Sequence, residues 1–193
     1  VGYQPEIFDI ENGYLSGYWQ CEKYFKEFRA ELLELFRFPQ NQINEASRKM
    51  QDQICREQAV AVHVRRGDYL LPENNRKYGN ICTLQYYRNA MQYMKEKVSD
   101  ARFYFFSNDP EWVRENLSEG DSVIVNCNHG KENYLDMYLM SQCSHNIIAN
   151  SSFSWWGAWL NRNPDKIIVS PKRWFSHLDV SDAVCEDWIR ING

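Results

Sequence analysis

Apolar and polar residues follow two different periods along this chain, and the changes between them mark its predicted elements. Short runs rich in β-branched and aromatic residues predict five strands, at residues 59–64, 102–107, 122–126, 146–149 and 166–169. Apolar residues three to four positions apart predict helices at 21–36, 44–55, 83–97, 132–143 and 153–160, with a short helix after Asp109. This alternation predicts an α/β fold with a parallel, right-handed, doubly wound sheet.

The first predicted strand runs directly into a cluster of charged residues. His63 and Arg65 are two positions apart and therefore share a face of the strand, while Arg66 begins a turn with Gly67 and Asp68. Two guanidinium groups beside a glycine suit an anion that accepts forked hydrogen bonds, such as a diphosphate. Alternatively, the two arginines pair with Asp68 and neighbouring acids and only hold a loop in place. The segment that follows, residues 70–81, is predicted to form a loop over this site.

A second polar segment lies at the end of the fourth predicted strand. Ser151 and Ser152 stand where a helix begins, so their hydroxyls and the free backbone N–H groups would face an anion, with support from the helix dipole. Ordinary capping by either serine is the alternative explanation. Taken together with the arginines, the segment favours an anion-binding site.

Composition and charge exclude several functional classes. The chain has 193 residues, a net charge of -4 and 44% hydrophobic residues, which indicates a globular protein and argues against non-specific nucleic-acid binding. No apolar run approaches the roughly 20 residues of a membrane helix, so we expect a cytoplasmic protein, with peripheral membrane contact left open. The six cysteines lack C-x-x-C or metal-ligand spacing, which predicts reduced thiols and no metal site.

Motifs of other phosphate and hydrolase chemistries do not occur in the sequence. It contains no G-x-G-x-x-G fingerprint and no G-x-x-x-x-G-K-[ST] loop. The G-x-S-x-G nucleophile elbow is missing as well, which disfavours an α/β hydrolase. A bound phosphate must therefore be held by the arginines and the helix N-terminus.

Three segments together resemble one known family. The run from His63 to Asp68 (HVRRGD), the run from Ser107 to Pro110 (SNDP) and the run from Asn150 to Leu160 (NSSFSWWGAWL) are similar to the bacterial-type α-1,2-fucosyltransferases of glycosyltransferase family 11. The resemblance implies a Rossmann-like sheet, the C-terminal, donor-binding half of a GT-B-type enzyme. Residues 58–193 would form the GDP-fucose-binding domain.

The start of the chain departs from the family pattern. Complete members open with a Gly-Leu-Gly-Asn-Gln-Met-Phe type motif, which does not occur here, and the chain begins with Val1. We therefore expect a fragment, in which residues 1–57 form a helical segment linking to an N-terminal half that supplies part of the acceptor cleft.

The same resemblance implies roles for particular residues. Arg65 and Arg66 would hold the diphosphate and stabilise its charge, and His63 would contact the nucleotide or its phosphates. Asp136 resembles the acid that reads the guanine edge, although by periodicity alone it is only a polar residue on an apolar helix. The residues that would cradle phosphate and base are Ser151, Ser152 and Phe153.

The implied reaction is a single displacement with inversion. The 2-hydroxyl of a terminal galactose on a glycan would attack the anomeric carbon of fucose as GDP departs. Fixed guanidinium groups would meet the charge of the leaving group, so no metal is expected. The sequence also contains no D-x-D pair, which GT-A enzymes use to hold a divalent ion. Asp68 is the candidate base by position, although the commoner role of such an acid is to pair with Arg65 or Arg66. The alternative function is an inactive nucleotide-sugar or carbohydrate-binding fragment.

Overall fold

Within the described residues, 2–17, 19–178 and 181–193, the computed structural model contains one six-stranded sheet. All neighbouring strands are parallel, in the order β3-β2-β1-β4-β5-β6. The strands are β1 Gln58–Val64, β2 Ala101–Ser107, β3 Val123–Val125, β4 His145–Ile147, β5 Ile168–Pro171 and β6 Ile189–Ile191. The strand order reverses between β1 and β4, and ligands of such sheets bind in the crevice beyond the carboxyl ends at that point.

Seven α-helices accompany the sheet in the described part of the chain. They are α1 Arg29–Leu35, α2 Glu45–Ile54, α3 Pro72–Tyr78, α4 Leu84–Lys97, α5 Pro110–Asn116, α6 Tyr134–Gln142 and α7 Ser152–Trp159. Three of them begin with a side-chain cap that the sequence contains, from Asn44, Thr83 and Asp109. None of the described helices has the length and apolarity of a bilayer span.

Strand β1 is buried on both faces, which explains its continuous apolar sequence. Val60 and Val62 pack in a core with residues of α4 and α5. Ala59 and Ala61 point the other way, into a core formed with residues of α2 and α6. Helices therefore cover both faces of the sheet, which confirms the predicted α/β architecture.

A third apolar cluster surrounds α7. Trp155 and Trp159 are fully buried there, against Trp188 and residues of the N-terminal segment such as Phe25. The tryptophans of the NSSFSWWGAWL segment thus fix α7 against the body of the protein, and its first turn is left at the carboxyl edge of the sheet.

Three features differ from the sequence predictions. Residues 21–36 do not form one α-helix: 3-10 turns at Glu22–Tyr24 and Lys26–Phe28 precede α1, since spacing of three to four does not separate the two helix types. Residues 70–81 contain α3, which begins at Pro72, a residue that suits a first helical position. The sixth strand, β6, was not predicted, because three residues with an arginine in the middle show no apolar run.

Candidate functional site

The carboxyl ends of β1 and β4 bring the two polar segments of the sequence together. β1 ends at Val64, immediately before the arginines, and β4 leads through Asn150 into α7. The two segments touch: the Tyr69 hydroxyl donates a hydrogen bond to the Asn150 carbonyl at 3.0 Å, and the His63 and Phe153 rings lie 5.7 Å apart. The site therefore lies at the point where the strand order reverses.

Arg65 is held by two residues of its own turn. Its Nε lies 2.9 Å from Asp68 Oδ1 in an ion pair, and its guanidinium lies over the Tyr69 ring at 5.7 Å. The pairing predicted as an alternative is therefore present. Among the described residues, no hydrogen bond or ion pair engages the two terminal nitrogens of Arg65.

Arg66 is held in a similar way by residues that follow the neighbouring strand, β2. Its Nε donates to Asp109 Oδ2 at 3.2 Å, and its guanidinium lies 4.1 Å from the centre of the Trp112 ring. Its terminal nitrogens also lack a partner within the described ranges. Both arginines are thus fixed through Nε and through one face, and each keeps a forked pair of donors for a ligand.

The turn after β1 lies unusually close to the residues that follow β2. The register pairs Val64 with Ser107, so both strands end at the same level. Asn108 Oδ1 accepts a hydrogen bond from the Arg66 amide at 2.9 Å, and a Cβ on Gly67 would lie 2.3 Å from Asn108 Nδ2. A Cβ here would displace the Asn108 side chain, so this close approach favours glycine, and a positive φ does not.

His63 is a buried, neutral imidazole at the base of the site. It is 5% exposed, and its Nδ1 is buried without a hydrogen-bond partner among the described residues. Burial, together with the nearby positive charge of Arg65, lowers the pKa of His63 to about 3. His63 can therefore offer a ligand a neutral hydrogen bond, but not a positive charge at neutral pH.

Asn150 joins three segments around the start of α7. Its Nδ2 donates to the carbonyls of Tyr78 and Trp174, each at 3.1 Å, and its Oδ1 accepts from the Cys82 thiol at 3.4 Å. The residue is 2% exposed. It therefore fixes the backbone from which α7 begins.

The first turn of α7 is not capped by the side chain that precedes it. Ser151 has extended backbone angles but makes no side-chain capping hydrogen bond, so ordinary capping does not explain this serine. The first intrahelical acceptor is the Ser151 carbonyl, which bonds the Trp155 amide at 3.0 Å. The amides of the first turn precede that bond and carry the positive end of the helix dipole. Ser152 is exposed beside them.

Asp136 lies at the start of α6, on the same side of the sheet as His63. Its Oδ1 accepts a hydrogen bond from Asn128 Nδ2 at 2.9 Å, and Asn128 Oδ1 accepts from both Asn44 and Ser47. Burial raises the pKa of Asp136 to about 6, against the opposing effect of the Asn128 hydrogen bond. Asp136 thus belongs to a polar network that joins α6 to α2, and is not paired with an arginine.

Among the residues that the structure describes, one group of side chains away from this site has the spacing of metal ligands. Atoms of Glu22, Cys185 and Asp187 lie within 4.8 Å of one another. Glu22 already accepts a hydrogen bond from Trp159, at the far end of α7, and the positive charge of Arg29 lies nearby. The six cysteines are free thiols.

Comparison with known sequences assigns the chain to a family. Residues 7–192 match the family described as Glycosyl transferase family 11. The chain belongs to glycosyl transferase family 11. This confirms the resemblance carried by the HVRRGD, SNDP and NSSFSWWGAWL segments.

Several known glycosyltransferases are similar to this chain in sequence. It is 39% identical over 179 residues to an alpha-1,2-colitosyltransferase of Escherichia coli, covering 91% of this chain and 61% of that protein. It is 33% identical over 187 residues to the O-antigen biosynthesis glycosyltransferase WbnK of Escherichia coli, covering 94% and 62%. It is 37% identical over 103 residues to galactoside alpha-(1,2)-fucosyltransferase 1 of Ateles belzebuth, covering 52% and 28%.

The chain spans about three fifths of the length of these two bacterial relatives. That this part is the C-terminal, donor-binding half, divided at residues 57 and 58, stays a prediction. Among solved structures, the NodZ alpha-1,6-fucosyltransferase soaked with GDP-fucose resembles it with a TM-score of 0.40 and 17% identity, over 81% of this chain and 63% of that one.

The structure brings most of the candidate residues together at one edge of the sheet and adds contacts that the sequence did not indicate. His63 lies near the end of β1 and Arg65, Arg66 and Asp68 follow the strand, with the α7 residues beside them. The sequence indicates Asp109 only as the residue before a short helix, and it gives no signal for Tyr69. The signal for the first was available, since SNDP directly follows a strand predicted to lie in the same sheet.

Proposed function

We propose that this chain binds the nucleotide-sugar donor GDP-fucose and forms the donor site of an α-1,2-fucosyltransferase. The observation that carries the proposal is the pair of arginines at the reversal of strand order. Each is fixed through Nε and one face, at 2.9 Å and 3.2 Å from a carboxylate, with its terminal donors unpartnered among the described residues. Two such forks match the oxygens of a diphosphate in geometry and charge.

The start of α7 supports the same ligand from the other side of the crevice. Ser151, Ser152 and the amides of the first turn present hydrogen-bond donors and a positive dipole end to an anion. Phe153 lies beside His63, where a flat base or a ribose would find an apolar surface. His63 would then make a neutral hydrogen bond to the nucleotide through its unpartnered Nδ1.

Asp136 is the proposed reader of guanine. A carboxylate accepts two hydrogen bonds from the N1 and N2 edge of guanine, whereas adenine offers no such pair of donors. Asp136 has the capacity, because its Oδ1 is engaged by Asn128 while Oδ2 has no recorded partner among the described residues. Its raised pKa of about 6 leaves it mostly ionised at neutral pH.

The proposed reaction transfers fucose to the 2-hydroxyl of a terminal galactose with inversion. As the bond between the sugar and GDP breaks, negative charge grows on the diphosphate. The terminal nitrogens of Arg65 and Arg66 and the α7 amides are already in place to meet it, which is electrostatic preorganisation. This charge compensation needs no metal ion.

Asp68 keeps two proposed roles. It was the candidate base by position, and it would then take the proton of the attacking hydroxyl. The geometry supports its second role more directly, because the ion pair with Arg65 Nε holds that guanidinium in place. Replacing Asp68 with asparagine separates the roles: loss of donor affinity indicates support of Arg65, and loss of turnover alone indicates the base.

Calorimetric titration of this chain with GDP and GDP-fucose, without added metal, tests the donor site. We expect binding in the micromolar range, about -8 kcal/mol, and at least a tenfold loss in Arg65→Ala. Arg114→Ala is the matched control, because Arg114 is an exposed arginine paired with Glu111 on α5. A folded chain that does not bind GDP would refute the proposal.

Further titrations separate the competing donors and functions. ADP should bind much more weakly than GDP. In Asp136→Asn, the difference in affinity between GDP and ADP should be smaller than in the wild type. A GDP-linked colitose should compete with GDP-fucose if the donor follows the 39% identical relative. Binding without transfer by the complete protein would support the alternative, an inactive nucleotide-sugar-binding protein.

A further inference from the structure

We propose that Asp109 is a positioning residue for Arg66, coupling the start of α5 to the donor site. This inference rests on the proposed function, because GDP is the probe that reports it. The two carboxylate oxygens of Asp109 have separate partners: Oδ1 accepts from the Trp112 amide at 3.2 Å as the helix cap, and Oδ2 accepts from Arg66 Nε at 3.2 Å. One side chain therefore fixes both the helix and the arginine.

The position of Asp109 is itself set from the end of β1. The Ser107 hydroxyl donates to the Val64 carbonyl at 2.9 Å and accepts from the Asp109 amide at 2.9 Å. Asn108 holds the Arg66 amide from the same segment. Residues 107–109, at and after the end of β2, thus bind the backbone on both sides of Arg65 and also the Arg66 side chain.

Trp112 adds the second constraint on the guanidinium. It lies one turn into α5, and the Arg66 guanidinium carbon is 4.1 Å from the centre of its ring. A cation at this distance from an indole is attracted by the ring. Because the Asp109 cap fixes the start of α5, it also helps to fix the ring against which Arg66 lies.

These contacts determine the direction in which the two terminal nitrogens of Arg66 point. With Nε bound to Asp109 and one face on Trp112, the edge that carries the terminal nitrogens is left for a ligand. Holding that edge before binding lowers the conformational entropy lost on binding. Arg65 differs, since its carboxylate partner Asp68 belongs to the same turn and moves with it.

The variant Asp109→Asn separates the two functions of the carboxylate. Asparagine caps helices as well as aspartate does, so the thermal midpoint should stay near that of the wild type. The charged partner of Arg66 is lost, and GDP affinity should fall about tenfold, the effect of one charge-assisted hydrogen bond. Glu111→Gln is the matched control, because Glu111 is an exposed acid two residues away that pairs with Arg114.

The decisive comparison uses the Arg66→Ala background. If Asp109 acts through Arg66, Asp109→Asn should not weaken GDP binding further there. An equal loss in both backgrounds, or no loss in the wild-type background, would overturn the inference.

A measurement without ligand distinguishes this inference from the proposed function. Phenylglyoxal modification, followed by peptide mass spectrometry, reports how freely each guanidinium reacts. Asp109→Asn should increase the modification rate of Arg66 severalfold and leave that of Arg65 unchanged. If the wild type fails to bind GDP, the proposed function is wrong, and the positioning role of Asp109 is then tested by the Arg66 modification rate alone. A faster rate in Asp109→Asn than in the wild type supports the positioning role, and an unchanged rate overturns it.

Discussion

Replacing Gly67 with alanine tests whether the turn after β1 must lie this close to the residues after β2. The added Cβ would lie 2.3 Å from Asn108 Nδ2 and 3.2 Å from Asn108 Cγ. Since the first distance is well inside contact distance, the Asn108 side chain must move. Its Oδ1 would then lose the hydrogen bond from the Arg66 amide, which is 2.9 Å long in the native structure.

The size of the effect follows from these two changes. A lost hydrogen bond costs about 0.5–1.5 kcal/mol, and a displaced rotamer costs a further ~0.5–1.5 kcal/mol. We therefore expect Gly67→Ala to lower the free energy of unfolding by about 1–3 kcal/mol. For a chain of this size that corresponds to a fall in thermal midpoint of about 2–4 °C for each kcal/mol. GDP affinity should fall as well, because Arg66 moves with its amide.

Thermal unfolding and GDP calorimetry on matched variants provide the assay. Gly130→Ala is the control, because Gly130 has a φ of +58° and open space around its missing Cβ. The left-handed conformation costs alanine roughly 1–2 kcal/mol, so this control should lose stability and keep its GDP affinity.

Gly67→Ala in an Asn108→Ala variant tests whether the contact with Asn108 causes the effect. There the colliding amide is gone, so Gly67→Ala should change stability by less than about 0.5 kcal/mol. If Gly67→Ala destabilises equally in both backgrounds, the contact with Asn108 is not the reason for this glycine. A Gly67→Ala variant with native stability and native GDP affinity would refute the reasoning altogether.

Three further predictions concern buried polar groups. Asn150→Ala leaves the carbonyls of Tyr78 and Trp174 without their donor, so urea unfolding should show a loss of about 2–4 kcal/mol; a loss below 1 kcal/mol would contradict this. The pKa of Asp136 is raised from 3.8 to about 6 in the folded state, so its ionisation opposes folding. The free energy of unfolding should therefore fall as pH rises from about 4 to 6. Asp136→Asn should reduce this dependence of stability on pH. The pKa of His63 is lowered from 6.5 to about 3. Its contribution to stability is therefore complete above pH 6.5 and is lost as pH falls toward 3. NMR titration should find the imidazole neutral at pH 5, and a charged ring at that pH would refute its burial.

The sequence by itself determined the alternation of strands and helices, because the period of apolar residues reflects which faces of each element are buried. It also indicated where the polar residues of the site would lie, since His63 lies near the end of an apolar strand, Arg65 follows that strand, and the serines at the start of α7 follow another. The HVRRGD, SNDP and NSSFSWWGAWL segments sufficed to indicate the family. These signals are local, and each is contained within about ten neighbouring residues.

Only the tertiary structure decided how these segments support one another. Asp109 reaches Arg66 across 43 positions of sequence, and the Tyr69 hydroxyl reaches Asn150 across 81. These contacts depend on β1 lying between β2 and β4, an order that no local pattern encodes. Burial of His63 and Asp136 is likewise a property of the packed layers, and it is burial that moves their pKa values. The periodicity also failed where segments are short, at β6 and at the 3-10 turns before α1, because three residues hold too few positions to define a period.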